Sequence, residues 1–191
     1  MTESDTSLRD RLLDVGVELA AAEGAQALTL REIARRAGVS HGAPRRWFPT
    51  HLELLSAIAR RGFTELAVRA EEALGDGTAA PGAQVAALAR VYLEFARDNP
   101  GMYELMFRHD LLASGHLRLR ETSLPLFGLL ADLVGRARPG MDARLVAGAL
   151  WANLHGIAQL RAWGSLRLAT GADDFGPLLD AALDAHLGAG R

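Results

Sequence analysis

Residues 29–48 read TLREIARRAGVSHGAPRRWF, and this stretch decides the fold. Thr29 is followed three residues later by Glu32, which is the spacing of a capping box that opens a helix. That helix is predicted to end at Gly38, because glycine enters a tight turn without a Cβ clash. Ser40 is predicted to cap a second short helix with its side chain. Two short helices joined by Gly38-Val39-Ser40 form the pattern of a helix-turn-helix.

The same stretch is basic, although the chain as a whole is not. Between Leu30 and Phe48 five arginines accompany one acid, a sum of +4, whereas the whole protein carries −2. Positive charge concentrated at a helix-turn-helix is typical of contact with DNA phosphates. The pattern therefore predicts nucleic-acid binding, although a helix-turn-helix also occurs as a purely structural corner. The arginines are Arg31, Arg35, Arg36, Arg45 and Arg46.

The rest of the 191-residue chain has helical periodicity and no strand-type alternation. A first helix is predicted over about 8–22. A second capping box, Thr50 to Glu53, opens a long helix that reaches about Leu74. Residues 75–82 hold three glycines and a proline and form the best linker in the chain. Further helices are predicted over about 83–98, 99–108, 116–138, 142–168 and 173–187, and Pro125 is expected to end or kink the one that contains it.

Composition excludes several classes of protein. The chain is 49% hydrophobic and 23% charged, as in an ordinary globular protein, and it has no cysteine for a disulfide scaffold or a thiol centre. The polar amino terminus lacks a signal core and no apolar stretch could span a membrane, so a cytoplasmic protein is expected. No nucleophile elbow, metalloprotease pair or phosphate-binding glycine loop is present. We therefore predict no enzyme activity, no cofactor and no metal, since His109 and His116 lack a carboxylate pattern.

The helix-turn-helix stretch resembles the TetR family of bacterial transcriptional regulators. The likeness is carried by Thr29-x-Arg31-x-Ile33-Ala34-x-x-Ala37-Gly38-Val39-Ser40-x-Gly42, followed by Phe48 and Leu54-Leu55. Farther along, 99–107 and Trp151-x-x-x-His155-Gly156 resemble the WHG-type carboxy-terminal domain of one subgroup. The resemblance implies an all-α fold and an Ω-shaped homodimer. It implies a three-helix DNA-binding head over 1–66 and a helical bundle over 67–191 for effector binding and dimerisation.

The resemblance also implies roles for residues of the head. A helix over about 30–37 precedes a recognition helix over about 41–48, and a long helix begins after it. Thr29 and Gly42 would offer a hydroxyl and an amide to phosphates, and Arg31 would reach the groove. The expected DNA-binding residues are Thr29, Arg31, Ser40, His41, Gly42, Ala43, Arg45, Arg46, Trp47 and His51.

Three positions depart from the family pattern. Pro44 replaces an aliphatic residue, Arg45 replaces a phosphate-binding tyrosine, and His51 replaces a lysine. Arginine can replace tyrosine as a phosphate donor, whereas a neutral imidazole is a weaker anchor than an ammonium group. Pro44 lacks the amide that would bond to the Ser40 carbonyl, so we predict that the recognition helix starts late, at about Gly42 or Ala43.

The carboxy-terminal part predicts an effector site and a dimer interface. The effector candidates, a stripe that is more often core packing, are Met102, Tyr103, Met106, Phe107, Phe127, Trp151 and His155. Two helices with small or apolar faces predict a four-helix interface between two copies. Its residues are Ala147, Gly148, Ala152, Leu178, Leu179, Ala182, Leu183 and His186.

Taken together, these features predict a homodimeric regulator that binds double-stranded DNA at a palindromic operator. We expect a repressor that a small-molecule effector releases and that has no membrane partner. The alternative from another class is a helical small-molecule-binding protein or enzyme that retains the helix-turn-helix only as structure. An activator, or a regulator that needs a corepressor, is also open.

Overall fold

The structure, a computed structural model, describes residues 3–113, 119–171 and 173–188, and the predicted all-α fold class is confirmed. Two 3₁₀ turns, Ala25–Ala27 and Ala43–Arg46, lie between the first helices. No helix in these ranges is both long enough and apolar enough to cross a membrane. The α-helices of these ranges are α1 (Glu3–Glu23), α2 (Leu30–Arg36), α3 (His51–Leu74), α4 (Pro81–Asp98), α5 (Pro100–Met106), α6 (His109–Ala113), α7 (Leu119–Ala137), α8 (Ala143–Ala162), α9 (Ser165–Thr170) and α10 (Gly176–Leu187).

The chain divides into two compact units by packing. Unit 1 comprises 1–65 and 99–122, and unit 2 comprises 66–98 and 123–191. This division places α5 and α6 with the helix-turn-helix. The predicted division by function, 1–66 and 67–191, stays a prediction.

Unit 1 is built around α1. Gly24 ends this helix as expected, with a φ of +81° and its amide bonded to the Ala20 carbonyl at 3.0 Å. Helices α2 and α5 both pack on α1. The core consists of fully buried side chains, among them Leu12, Leu19, Ile33, Phe48, Leu54 and Ile58.

Helix α5 approaches its neighbours in unit 1 closely because two positions lack a side chain. A Cβ at Gly101 would lie 2.1 Å from the Ala20 carbonyl oxygen. A Cβ at Gly62 in α3 would lie 2.6 Å from the sulfur of Met106 and 2.7 Å from Cγ of Met102. These contacts make α5 an integral part of unit 1.

Unit 2 is a helical bundle in which α4, α8 and α10 pack on one another. Its fully buried side chains include Val85, Leu150 and Leu179. The predicted linker over 75–82 lies inside this unit. There the buried Gln84 donates from Nε2 to the carbonyls of Gly77 and Ala79, each at 2.6 Å, and so ties the loop to α4.

Several predicted boundaries are corrected. Helix α1 starts at Glu3 rather than near Leu8. Pro125 lies inside α7 as predicted and does not end the helix, and the alternative of a kink stays a prediction. The helix predicted over 142–168 is interrupted at Gly164, whose φ of +73° is unavailable to a helix, so α9 is separate from α8. The predicted start of α7 at His116 falls outside the described residues, and the helix is described from Leu119.

Candidate nucleic-acid interface

The turn between α2 and the second 3₁₀ segment is built as the sequence predicts. Thr29 caps α2, since its hydroxyl oxygen accepts the amide of Glu32 at 3.1 Å. Gly38 has a φ of +67°, a left-handed conformation that glycine adopts without strain. The Val39 amide bonds to the carbonyl of Ala34 at 3.0 Å, which closes the turn. The first helix and the turn of the predicted helix-turn-helix are therefore present, and Ala34 is fully buried.

The recognition element differs from the α-helix predicted over 41–48. It is a single 3₁₀ turn over Ala43–Arg46, which we call the recognition turn, and Pro44 is its second residue. The predicted late start is confirmed. The predicted side-chain cap from Ser40 is wrong, because that residue contributes its carbonyl, which accepts the Ala43 amide at 3.0 Å.

Most of the predicted DNA-binding side chains lie on the surface of unit 1. Two residues of the set, Ala43 and Trp47, are half-buried. The indole Nε1 of Trp47 is buried and has no hydrogen-bond partner among the described residues, so it is not presented to a phosphate in this conformation. The exposed members are Thr29, Arg31, Ser40, His41, Gly42, Arg45, Arg46 and His51.

Two of the five arginines near the turn are held by acids. Arg35 donates to both carboxylate oxygens of Glu32, at 2.6 and 2.9 Å, and Arg36 donates to the same carboxylate at 2.7 Å. Arg36 also bonds to Glu23 of α1. Hydrogen bonds from the two arginines lower the pKa of Glu32 to about 2. Since the carboxylate stays charged, it neutralises much of the positive charge on this side of α2.

The remaining arginines are arranged differently. Arg31 and Arg45 are exposed and make no ion pair within the described part of the chain. The guanidinium of Arg46 lies 5.8 Å from the centroid of the Trp47 ring, a cation–π contact that leaves the side chain exposed. Arg31 and Arg45 therefore carry positive charge that is not paired within the described ranges, and Arg46 adds an exposed side chain at the recognition turn.

His51 has a structural contact in addition to its predicted role at DNA. Its Nε2 lies within hydrogen-bond distance of the Leu28 carbonyl, so this nitrogen must carry the proton and donate it. The contact joins the first turn of α3 to the residue before the Thr29 cap. The Thr50–Glu53 capping box beside it is confirmed, with reciprocal bonds of 3.0 and 3.1 Å.

The predicted effector residues fall into both units. In unit 1, Met102, Tyr103 and Met106 are buried in the core, and the half-buried Phe107 contacts Tyr103 with ring centroids 4.9 Å apart and ring planes tilted by 57°. In unit 2, the Phe127 and Trp151 rings lie 6.3 Å apart.

Tyr92 was not predicted from the sequence. It contacts two of the predicted effector residues of unit 2, Trp151 and His155. Its hydroxyl lies 2.8 Å from Nδ1 of His155 and accepts the indole N–H of Trp151 at 3.3 Å. Burial lowers the pKa of His155, which favours the neutral imidazole. Tyr92 lies on α4 and its partners on α8, and no local pattern signals a contact across 59 or 63 residues.

The residues predicted for a dimer interface divide by burial. Ala147, Leu179, Ala182 and Leu183 are buried in the core of unit 2, so they pack within the chain and offer no surface to a partner. Gly148, Leu178 and His186 are half-buried, and Ala152 is exposed. The interface itself stays a prediction.

No group of three histidine or acidic side chains that could hold a metal ion occurs in the described ranges. The histidine pair considered from the sequence is not covered by that statement. The side chain of His109 and the whole of His116 lie outside the described residues.

Two family models match the chain. Residues 12–58, which include the helix-turn-helix, match the model described as bacterial regulatory proteins, tetR family. Residues 85–186 match the model described as tetracyclin repressor-like, C-terminal domain. The second match alone covers more than half of the chain.

Comparison with individual proteins agrees with these models. The nucleoid occlusion factor SlmA of Haemophilus ducreyi is 31% identical over 116 residues, which are 59% of this chain and 56% of that protein. The chain thus spans about half the length of the curated relatives it matches. A solved protein with unknown function from Rhodococcus sp. RHA1 is 32% identical, with a TM-score of 0.80 over 94% of this chain and 93% of that one.

A structure of BioQ with its natural double-stranded DNA operator has the same fold. Its TM-score is 0.67 at 18% identity, over 94% of this chain and 97% of that one. The helix-turn-helix geometry, the exposed arginines and the two family matches agree with one another. The chain belongs to the tetR family of bacterial regulatory proteins.

Proposed function

We propose that the protein is a repressor that binds a palindromic operator as a homodimer and is released by a small-molecule effector. The observation that carries the DNA-binding part is the placement of charge around the turn. Arg31 and Arg45 are exposed without an ion pair in the described residues, whereas Arg35 and Arg36 are held by Glu32. BioQ, which shares this fold, was solved with its operator, and this supports a DNA duplex as the partner.

A second copy is proposed to cover the outward side of α8. Leu145, Ala149, Ala152, Gly156 and Leu160 are spaced by four, three, four and four residues, so they lie along one side of the helix. Leu145 is 71% exposed and Leu160 is 41% exposed. Small residues between two exposed leucines allow a partner helix to approach closely, as in a four-helix interface. A two-fold dimer then presents two recognition turns to two half-sites, which makes the operator palindromic.

The effector is proposed to bind beside Tyr92, Phe127, Trp151 and His155 in unit 2. These side chains combine aromatic faces with hydroxyl, indole and imidazole groups, a composition typical of small-molecule sites. Release from DNA requires that the effector bind the DNA-free conformation more tightly than the DNA-bound one. Both matching family models describe regulators, which argues against the alternative of an enzyme that keeps the helix-turn-helix only as structure.

The experiment is a titration of the protein's own upstream DNA at two salt concentrations. Arg45→Ala and Arg46→Ala are each expected to weaken binding by about 1–3 kcal/mol, or about 5- to 150-fold. Arg35→Ala is the matched control, since it removes the same charge from a side chain already bonded to Glu32. Equal losses in all three variants, or no binding by the wild type at low salt, would contradict the assigned interface.

A further inference from the structure

The backbone of the recognition turn is set by one residue that has no amide. The carbonyl of Ser40 cannot accept the usual α-helical hydrogen bond from the amide four residues later, because Pro44 lacks the N–H. It accepts the Ala43 amide at 3.0 Å instead, and the Gly42 carbonyl accepts the Arg45 amide at 3.2 Å. Both bonds span three residues, as in a 3₁₀ helix. The first four-residue bond runs from the Phe48 amide to the Pro44 carbonyl, at 2.8 Å.

This backbone limits which side chains can reach a base pair. A four-residue 3₁₀ turn is about 8 Å long, whereas an eight-residue α-helix is about 12 Å long. Pro44 is buried, so the side chains exposed at and just before the turn are those of Ser40, His41, Arg45 and Arg46. Of these, arginine forms two parallel hydrogen bonds to guanine O6 and N7, the most discriminating contact in the major groove.

We propose that Pro44 is a specificity-determining residue that acts through the backbone. It prevents an α-helix from starting at Ser40, so that the recognition element begins at Ala43 as a 3₁₀ turn and Arg45 and Arg46 carry the base readout and select guanine in each half-site. This inference rests on the proposed function and adds to it the chemistry of the operator. Pro44 touches no base itself and is a positioning residue for the two arginines.

The competing explanation is that the Pro44 ring only fills space in unit 1. Two variants separate the explanations. Each restores the amide at position 44, but one has a smaller side chain than proline and the other a larger one. Pro44→Ala is smaller than proline and Pro44→Val is larger. Pro177→Ala is the matched control, since Pro177 is an exposed proline in the first turn of α10.

The test is selection of binding sites from a random double-stranded DNA library by the wild type and the three variants. We expect the wild type and the Pro177 variant to enrich one guanine-containing consensus. Both Pro44 variants should enrich a different one, with at least a tenfold change in preference at one position of each half-site. In both Pro44 variants, the new amide at position 44 should exchange its hydrogen at least tenfold more slowly than an unprotected amide, because it bonds to the Ser40 carbonyl.

Each outcome decides a separate point. One consensus shared by all four proteins, with only weaker binding by the Pro44 variants, would show that the ring merely fills space. Rapid exchange of the new amide would show that Pro44 does not restrict the turn. A wild type that enriches no sequence would contradict the proposed function, and the specificity role would fail with it.

Discussion

The two units differ in what they leave on their surfaces. Among the side chains that the structure describes, every exposed large hydrophobic residue belongs to unit 2, and none belongs to unit 1. Around the turn, unit 1 exposes arginines, histidines and small polar residues instead. Contiguous exposed apolar surface in a folded protein usually marks a binding site. The residues are Val68, Leu124, Met141, Leu145, Trp151, Leu160, Trp163 and Leu168.

The core of unit 1 is tightly packed because its helices approach one another closely. Gly16, Gly62 and Gly101 each lie where a Cβ would come within 3.0 Å of an atom of a neighbouring segment of unit 1. Such packing leaves few apolar side chains for the surface. The comparison shows that unit 1 leaves no large apolar side chain exposed among the described residues, whereas unit 2 leaves eight of them exposed.

Gly101→Ala is the strongest test of the close packing in unit 1. The added Cβ would meet the Ala20 carbonyl oxygen at 2.1 Å and the Gly24 Cα at 2.8 Å, and these backbone atoms cannot rotate away. Helix α5 must then move off α1, and we expect a cost at the upper end of the range for overpacking, about 3 kcal/mol. Denaturant unfolding of the full chain measures the loss.

The control is Gly128→Ala in α7. Gly128 is helical and has no atom within 4 Å of its Cβ position, so alanine should be neutral or stabilise by about 0.5–1 kcal/mol. A similar loss in both variants would mean that the close approach of α5 to α1 does not explain the stability of unit 1.

Ala152→Arg tests whether a second copy covers unit 2. Ala152 is exposed in the middle of the outward side of α8, and an arginine there would be buried without a partner in the proposed interface. We expect the dimer to weaken by about 2–3 kcal/mol, or about 30- to 150-fold. Sedimentation over a range of concentrations measures the dissociation constant.

Ala73→Arg makes the same change at an exposed position of α3 and should leave the association unchanged. A wild type that sediments as a monomer at every concentration would refute the dimer. If both variants associate like the wild type, the partner must bind elsewhere on unit 2.

Features encoded within a few residues were predictable from the sequence. The cap at Thr29, the capping box at Thr50 and the turn at Gly38 each depend on contacts within five residues, so pattern and structure agree. The capping box predicted at Thr29 is only half formed, because the Thr29 amide bonds to the Ala27 carbonyl and the Glu32 carboxylate accepts from arginines. The late start of the recognition element was predictable for the same reason, because Pro44 removes a specific local bond. Its 3₁₀ geometry was not predicted. The missing amide shows where an α-helix cannot start, but it does not show which backbone conformation forms there instead.

Contacts between distant segments were not predictable. A helical stripe shows that a face is apolar but not which neighbour covers it, so the sequence predicts Leu179 and Leu183 at a dimer interface although they pack in unit 2. The bond from Arg36 to Glu23 spans 13 residues and the contact of His51 with Leu28 spans 23, without a sequence signal. Tertiary packing decided each of these positions.

Ser56→Ala has the smallest expected effect and tests whether the core of unit 1 contains an unsatisfied hydroxyl group. The Ser56 hydroxyl is fully buried in unit 1 and has no hydrogen-bond partner among the described residues. A buried polar group without a partner is destabilising, so its removal should stabilise the protein by up to about 1 kcal/mol.

Thr29→Ala is the control. It removes a hydroxyl that caps α2 and should instead cost about 1 kcal/mol. Opposite shifts of the two variants in thermal unfolding are expected; a loss of stability in both would mean that the Ser56 hydroxyl is bonded in solution and that the core of unit 1 is fully satisfied.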